Sequence, residues 1–240
     1  MRKDRIDLNG VALEGENFSD LKLKQLTVAE SVLSRCRFEG NTIEQACFGA
    51  GRKPSQYSDC SFDRSRITAI APGIARFVRC SFKECVIRDF FAVTVEFVDC
   101  VFSGTIRKAV FQGTVPEEDR FEIKRSINEF RGNDFRDAEL IDVAFRGGID
   151  LTKQRLPEGA GYLYVPDAAR TLERSRRSII GWQDLERRRR VLALLKGLEL
   201  DVEGGQAQLF LTLGSVPRSQ REAADLLHQE LRKSGAPENA

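Results

Sequence analysis

Six cysteines are the residues best equipped for chemistry, whether as soft metal ligands, nucleophiles or disulfide partners. Four of them, Cys36, Cys60, Cys80 and Cys100, follow one another at intervals of 24, 20 and 20 residues. A zinc site takes its ligands in close pairs, and these spacings are instead those of a structural repeat. No apolar signal core follows "MRKDRIDLNG" and no run approaches a membrane span, so free thiols buried as small core residues, in a reducing cytoplasm, are expected. The one histidine, His228, has no Cys or carboxylate pair at ligand spacing and reads as a surface or packing residue. No Gly-x-Ser-x-Gly turn is present, "FGAGRK" lacks the ending of a phosphate loop, and "FRGGID" lacks dinucleotide spacing. The expectation is no enzyme, no cofactor and no metal.

Charge is the other candidate. Formal net charge is +2. Residues 1–150 hold 23 Lys+Arg against 24 Asp+Glu, and the remainder 15 against 12, so neither part names a partner by charge alone. The sharpest feature is Arg170, Arg174 and Arg177 at helical spacing, followed by the run Arg187, Arg188, Arg189 and Arg190. These could meet nucleic acid or an acidic protein. Glu173–Arg177, Asp184–Arg188 and Glu186–Arg190 also stand at i,i+4, where pairing within a solvated helix offsets the charge, and that reading is favoured.

The element that positions the cysteines shows in a period of five. From Leu8 every fifth residue is apolar through Phe48. The series resumes from Phe62 through Pro72 and Phe77 to Phe102, and again as Phe130, Phe135, Leu140 and Phe145. Neither a strand (period 2) nor a helix (3.6) has that spacing, so a repeat architecture is required. The residue two before each is usually small, among them Ser31, Cys36, Ala46, Cys60, Thr105 and Ala138.

In "CRFEG", "CSFDR", "CSFKE", "NDFRD" and "AELID" the chain resembles the pentapeptide-repeat family. That resemblance implies a β-solenoid over 4–151: a right-handed quadrilateral β-helix, four pentapeptides to a coil, with the central residue and the small one before it inward. Residues twenty apart then stack at about 4.8 Å. Allowing four extra residues in "GAGRKPSQ", Phe38, Phe62, Phe82 and Phe102 form one column, with Cys36, Cys60, Cys80 and Cys100 beside it and Tyr57, Phe77 and Phe97 as another. Ile70-Ala71-Pro72 and Phe90-Phe91-Ala92 exchange large and small positions on one face, and Arg107 falls at a central position as a misfit.

Two interruptions break the array: Gly49–Gln56, carrying Arg52 and Lys53, and about Gly113–Ser126, carrying Glu117, Glu118 and Asp119. Loops on a rigid scaffold make contacts. Residues 152–166 read as a linker, and 167–240 as a mainly helical capping or dimerising module. Asp167 should cap its first helix, Trp182 and Leu185 belong to a second, and "QAQLFLTLG" is a strand or short buried helix. The apolar stripes Leu172/Ile179/Ile180, Leu185/Leu192/Leu195 and Leu226/Leu227/Leu231 exceed what one helix pair buries, which points to a homodimer. The functional expectation is a non-enzymatic protein that binds a macromolecular, protein partner through faces and loops. Placement of two loops also resembles the quinolone-resistance members that act on DNA gyrase and topoisomerase. A near-neutral repeat region departs from the acidic face of a DNA mimic, and nucleic-acid binding through the Arg-rich helices is a further alternative.

Overall fold

A computed structural model describes residues 4–71, 73–213 and 216–235. Pro72, read above as a small inward residue, and residues 214–215 and 236–240 of the C-terminal module lie outside the described residues.

The five-residue period has a backbone cause. Gly10, Gly15 and Asp20 carry positive φ, as do Glu30, Arg35 and Gly40, then Asp59, Arg64 and Ala69, then Arg79, Glu84 and Asp89. Each such residue turns an extended chain sharply, and the chain returns over itself after twenty residues in most coils. Strands β1 (Arg5–Asn9), β3 (Lys22–Ala29), β5 (Thr42–Ala50), β7 (Arg66–Ile67), β9 (Ser81–Ala92), β11 (Val101–Gln112) and β13 (Asp134–Arg146) form one sheet in chain order. A second sheet holds β2 (Ala12–Glu14), β4 (Val32–Ser34), β6 (Ser55–Ser58), β8 (Ala75–Val78), β10 (Val95–Val98) and β12 (Phe130–Arg131). All pairings in both are parallel, which makes a β-solenoid. Leu23 lies against Ile43 and Ile67 against Ile87, twenty apart, whereas Leu33 lies against Tyr57, twenty-four apart.

The inward columns are those read from the period, and one is longer. Phe18, Phe38, Phe62, Phe82, Phe102 and Phe135 stack with centroids 5.0, 5.0, 4.8, 5.0 and 4.5 Å apart and nearly parallel rings. Tyr57, Phe77 and Phe97 stack at 4.4 and 5.1 Å, and Phe77 meets Phe82 edge-on at 5.6 Å. Aromatic rings favour both offset-stacked and edge-on geometries. Cys36, Cys60, Cys80 and Cys100 are buried free thiols. Their Sγ atoms donate to carbonyls, as Cys80 to Tyr57 O and Cys100 to Phe77 O, both 3.5 Å. The exchanged triplets behave as a volume-conserving swap: Ile70 and Phe90 are bridged and buried, and Ala92 is buried too.

Arg107 is corrected. Between Phe102 and Gly104 the register drops by one residue, so Ile106, not Arg107, stands against Ile87 and points inward. Gly104, not Thr105, is then the small residue against Cys85. It has φ +85°, and a Cβ there would lie 2.3 Å from Cys85 O, so only glycine fits.

The array runs beyond residue 151, with Asp134 bridged in parallel to Arg155. Residues 152–166 include strand β14 (Tyr162–Val165), paired antiparallel with β15 (Leu209–Thr212), which is the form "QAQLFLTLG" takes. Phe210 stacks on Tyr162 (5.2 Å) and meets Phe145 edge-on (6.2 Å). Side chains of this segment satisfy the last coil's backbone. Tyr162 Oη accepts from Leu140 N (3.0 Å), Thr212 Oγ1 from Asp142 N (3.1 Å), Gln206 Oε1 from Ile149 N (3.1 Å) and Gln208 Oε1 from Leu151 N (3.0 Å). Helices α2 (Ala168–Ile180), α3 (Leu185–Glu203) and α4 (Arg221–Gly235) enclose a second core of Val165, Leu172, Ile179, Val191, Leu195 and Leu227. A further helix, α1 (Glu117–Ile123), lies in the second interruption. Asp167 caps α2, accepting from Arg170 N at 3.1 Å. Ile180 and Leu185, expected in the apolar stripes, are exposed: they flank the turn between α2 and α3 and point away from the shared core. No helix among the described residues is long and apolar enough to cross a membrane.

Candidate partner-binding edge

Both interruptions leave the solenoid between a strand of the first sheet and the next strand of the second, β5 to β6 and β11 to β12. They therefore emerge along one edge. Three strand steps separate β6 from β12, about 14 Å at the parallel spacing. Arg52 and Lys53 stand exposed at the first excursion, where Arg52 N donates to Glu30 Oε1 (3.0 Å). Glu117, Glu118 and Asp119 occupy the first turn of α1, where carboxylates suit the helix dipole. Lys124 ends α1 in a left-handed conformation, donating to Arg120 O at 2.9 Å.

Nothing on α1 is buried, and Phe121 is 91% exposed. The stem beneath it is fixed firmly. Val115 N donates to Ser126 O (3.0 Å) and Asn128 N to Gly113 O (2.7 Å), closing the excursion. Asn128 Nδ2 reaches Val93 O and Gln112 O, both at 2.8 Å. Arg125 donates to Thr94 O (2.9 Å) and pairs with buried Glu96 (3.5 Å). Arg76 bridges Glu96 (3.1 Å) and Glu129 (2.6 Å), and Glu129 N donates to Glu96 Oε1 (3.0 Å). The Arg76 guanidinium holds the Glu129 carboxyl below its ordinary range despite partial burial, with Arg131 adding to the effect. Burial lowers the pKa of Arg125, and Glu96 opposes it. The network spans three coils and anchors a seven-residue helix whose own face is free.

A corner of the solenoid carries a second pattern. Arg35, Asp59, Arg79 and Asp99 follow one another up the coils at φ near +50°, with Gly15 below and Gly132 above. Asp59 accepts two bonds from Arg79, both 2.8 Å, and Arg35 pairs with Glu14. Signs alternate, so this face is not a continuous acid.

The predicted basic helices are largely neutralised. Arg177 pairs with Glu173 and Arg190 with Glu186, as their spacing suggests. Asp184 pairs instead with Arg187 at i,i+3 (3.5 Å), which also reaches Glu222 on α4 (3.0 Å), while Arg188 donates to Ile180 O (3.1 Å). Arg170 is exposed and Arg174 half-buried on α2. Arg189 is exposed with no ion pair among the described residues. Both Arg groups lie on the C-terminal module, apart from the two excursions.

The five buried thiols offer little to an electrophile. Burial pushes the Cys85 thiol up to about 12 and raises Cys36, while Cys60 is raised first by its contact with Cys80. Cys47 is half-buried. Among the described residues no three His, Cys, Asp or Glu side chains gather as metal ligands do. His228 is half-buried on α4, and burial lowers its pKa.

Fold and edge together define a β-solenoid protein whose helical module sits on the last coil and whose excursions share one side. No family model and no curated protein matches the chain. Among solved structures it is similar to a trypsin-treated form of QnrB1, a plasmid-mediated fluoroquinolone resistance protein. The two share 12% identity at a TM-score of 0.29, over 63% of this chain and 77% of that one.

Proposed function

We propose that the chain is a non-enzymatic interaction protein, a pentapeptide-repeat β-helix with right-handed, four-sided coils that binds a protein partner along the edge carrying its excursions. Phe121 carries this reading. With Ile127, 66% exposed in the same excursion, it offers apolar surface to a partner, it stands on a helix that buries nothing, and aromatic residues are enriched in interface cores. The Arg125–Glu96–Arg76–Glu129 network, centred on buried Glu96, supports the same reading, because it presents the anchor at a fixed position. Beside it, Glu117, Glu118 and Asp119 suit a basic rim on the partner, and Arg52 and Lys53 an acidic one farther along. The test is quantitative binding of a partner captured from host extract, comparing wild type with Phe121→Ala. A loss of about tenfold or more in affinity is expected for a central anchor. Undiminished binding by both Phe121→Ala and a chain lacking residues 117–123 would overturn the assignment.

A topoisomerase is the narrower reading of the partner, favoured by the two interruptions of the array, the feature in which the chain resembles the quinolone-resistance members. Alternating corner charges weigh against imitation of DNA, so contact would run through the excursions. A gyrase supercoiling assay with and without quinolone decides it: no change at large molar excess removes this partner.

A further inference from the structure

Arg107, the residue that broke the period of five, acquires an unfavourable neighbour in the fold. The register drop at Gly104 sets it directly opposite Arg88 on the adjoining strand, about 4.8 Å away along the sheet. Val86 and Arg88 flank buried Ile87, and Thr105 and Arg107 flank buried Ile106, so both arginines stand on the outer face of the first sheet. Like charges directly opposite one another are destabilising. Elsewhere on the solenoid, charges that meet across coils are paired off: Asp4 with Lys24 (3.7 Å), Asp59 with Arg79 (2.8 Å) and Asp89 with Lys108 (4.0 Å). Where two acids fall opposite, as Glu96 and Glu129 do, Arg76 bridges them. Nothing bridges Arg88 and Arg107. Neither has an ion pair among the described residues, and the nearby carboxylates of Asp89 and Glu139 are engaged by Lys108 and by the Thr105 hydroxyl (3.2 Å).

The same pair leaves a polar atom stranded. Arg88 is half-buried, and its Nε is cut off from solvent with no hydrogen-bond partner, which carries the desolvation cost of an unmade charged hydrogen bond. Arg66, one strand further along, stands opposite Val86 on the same outer face, about 8 Å from Arg88. It is exposed and also has no ion pair among the described residues. Three successive strands of one sheet, β7, β9 and β11, thus hold three guanidinium groups without a counter-charge. We propose that this face binds a small di- or polyphosphate, with a terminal phosphate between Arg88 and Arg107 and the phosphate joined to it against Arg66. The chemistry selects that class. Guanidinium forks grip oxyanions two oxygens at a time. A carboxylate has two oxygens and is filled by one fork. A terminal phosphate has three and up to two negative charges, so it serves both forks and replaces their repulsion with a shared attraction. Its oxygens also supply the acceptor that Arg88 Nε lacks.

Isothermal titration calorimetry on the full chain tests this, with ionic strength held constant by chloride. The probes are inorganic phosphate, pyrophosphate and a short single-stranded oligonucleotide without terminal phosphates. Pyrophosphate should bind with a Kd on the order of 1 mM or tighter, and inorganic phosphate several-fold more weakly. Arg88→Gln and Arg107→Gln should each weaken pyrophosphate binding about tenfold or more, and Arg66→Gln should remove the advantage of pyrophosphate over phosphate. Arg37→Gln takes the same charge from an exposed position elsewhere on the solenoid and should leave binding unchanged. Exposed Arg107→Gln also relieves the like-charge contact, so its melting temperature in phosphate-free buffer should not fall, which separates loss of the site from loss of the fold. No saturable heat with pyrophosphate up to about 10 mM, or equal binding by Arg37→Gln and Arg107→Gln, would overturn the proposal. So would tighter, Arg88-dependent binding of the oligonucleotide, which would assign the face to a phosphodiester backbone instead.

Discussion

Strand β9 offers a controlled comparison, since Phe82 and Phe91 lie nine residues apart on it and face opposite ways. Phe82 stacks between Phe62 (4.8 Å) and Phe102 (5.0 Å) and meets Phe77 (5.6 Å) and Phe97 (6.3 Å) edge-on, almost wholly buried. Phe91 is 51% exposed. Truncating a buried Phe to Ala costs about 3–5 kcal/mol, the larger values arising where the surroundings cannot collapse into the cavity. Here they cannot readily do so, because parallel ladders hold the neighbouring rings one strand spacing away on either side. Phe82→Ala should therefore cost about 4–5 kcal/mol. Phe91→Ala removes half-buried area and some strand preference, and should cost about 1 kcal/mol or less. Urea unfolding followed by far-UV circular dichroism measures both, with the slope reporting whether one or several coils unfold together. A Phe82→Ala loss below about 1 kcal/mol, or equal losses for the two variants, would refute the inward and outward assignment.

Gly104→Ala should destabilise by at least about 2 kcal/mol, because its Cβ collides with Cys85 O at a left-handed φ; a near-neutral result in the same unfolding assay would contradict the one-residue register drop. Thiol titration should find Cys47 reacting in the native state and six thiols after denaturation, with Cys47→Ser leaving the native protein almost silent. Arg136 holds the Asp134 carboxyl down at about 2, so its contribution is present above the ordinary aspartate range and lost as pH falls towards 2. Asp134→Asn should flatten that acid limb while costing no more than about 1 kcal/mol at neutral pH, since Arg136 is exposed and solvent screens the pair. Removing residues 156–240 should yield a chain that aggregates on light scattering, as the backbone donors of Leu140, Ile149 and Leu151 lose the side chains that accept from them.

The inward columns could be read from sequence because each coil repeats the same geometric demand, and a period of five has no other common source. Once the spacing of Phe38, Phe62 and Phe82 was seen, the four added residues near Gly51 followed from alignment alone. The slip at Gly104 left its trace in Arg107 and Gln112, polar residues at central positions of the old frame, while Ile106 and Phe111 take the inward places one residue earlier. Phe121 was hidden because an excursion has no period, so an aromatic in it cannot be sorted into core or surface. In the helical module the apolar positions were visible, but not which of them face a neighbour. Ile180 and Leu185 flank the turn between helices, where a stripe drawn from spacing continues into solvent. The partner chosen by Asp184 was likewise a matter of tertiary choice, since Glu222 on α4 draws Arg187 across.

The alternating corner of Arg35, Asp59, Arg79 and Asp99 has a consequence for assembly of the fold. From the coil of Phe38 to that of Phe102, Phe stacks on Phe and Cys on Cys, so these columns read the same whichever two of the coils meet and do not count them. A chain that skipped one coil during folding would still bury matching columns. At the corner, however, skipping the coil of Asp59 sets Arg35 beside Arg79, and skipping that of Arg79 sets Asp59 beside Asp99. Each error replaces an attraction with a repulsion at strand spacing, where like charges directly opposite one another are destabilising. The surface charges thus act as a parity check on columns that are degenerate in register.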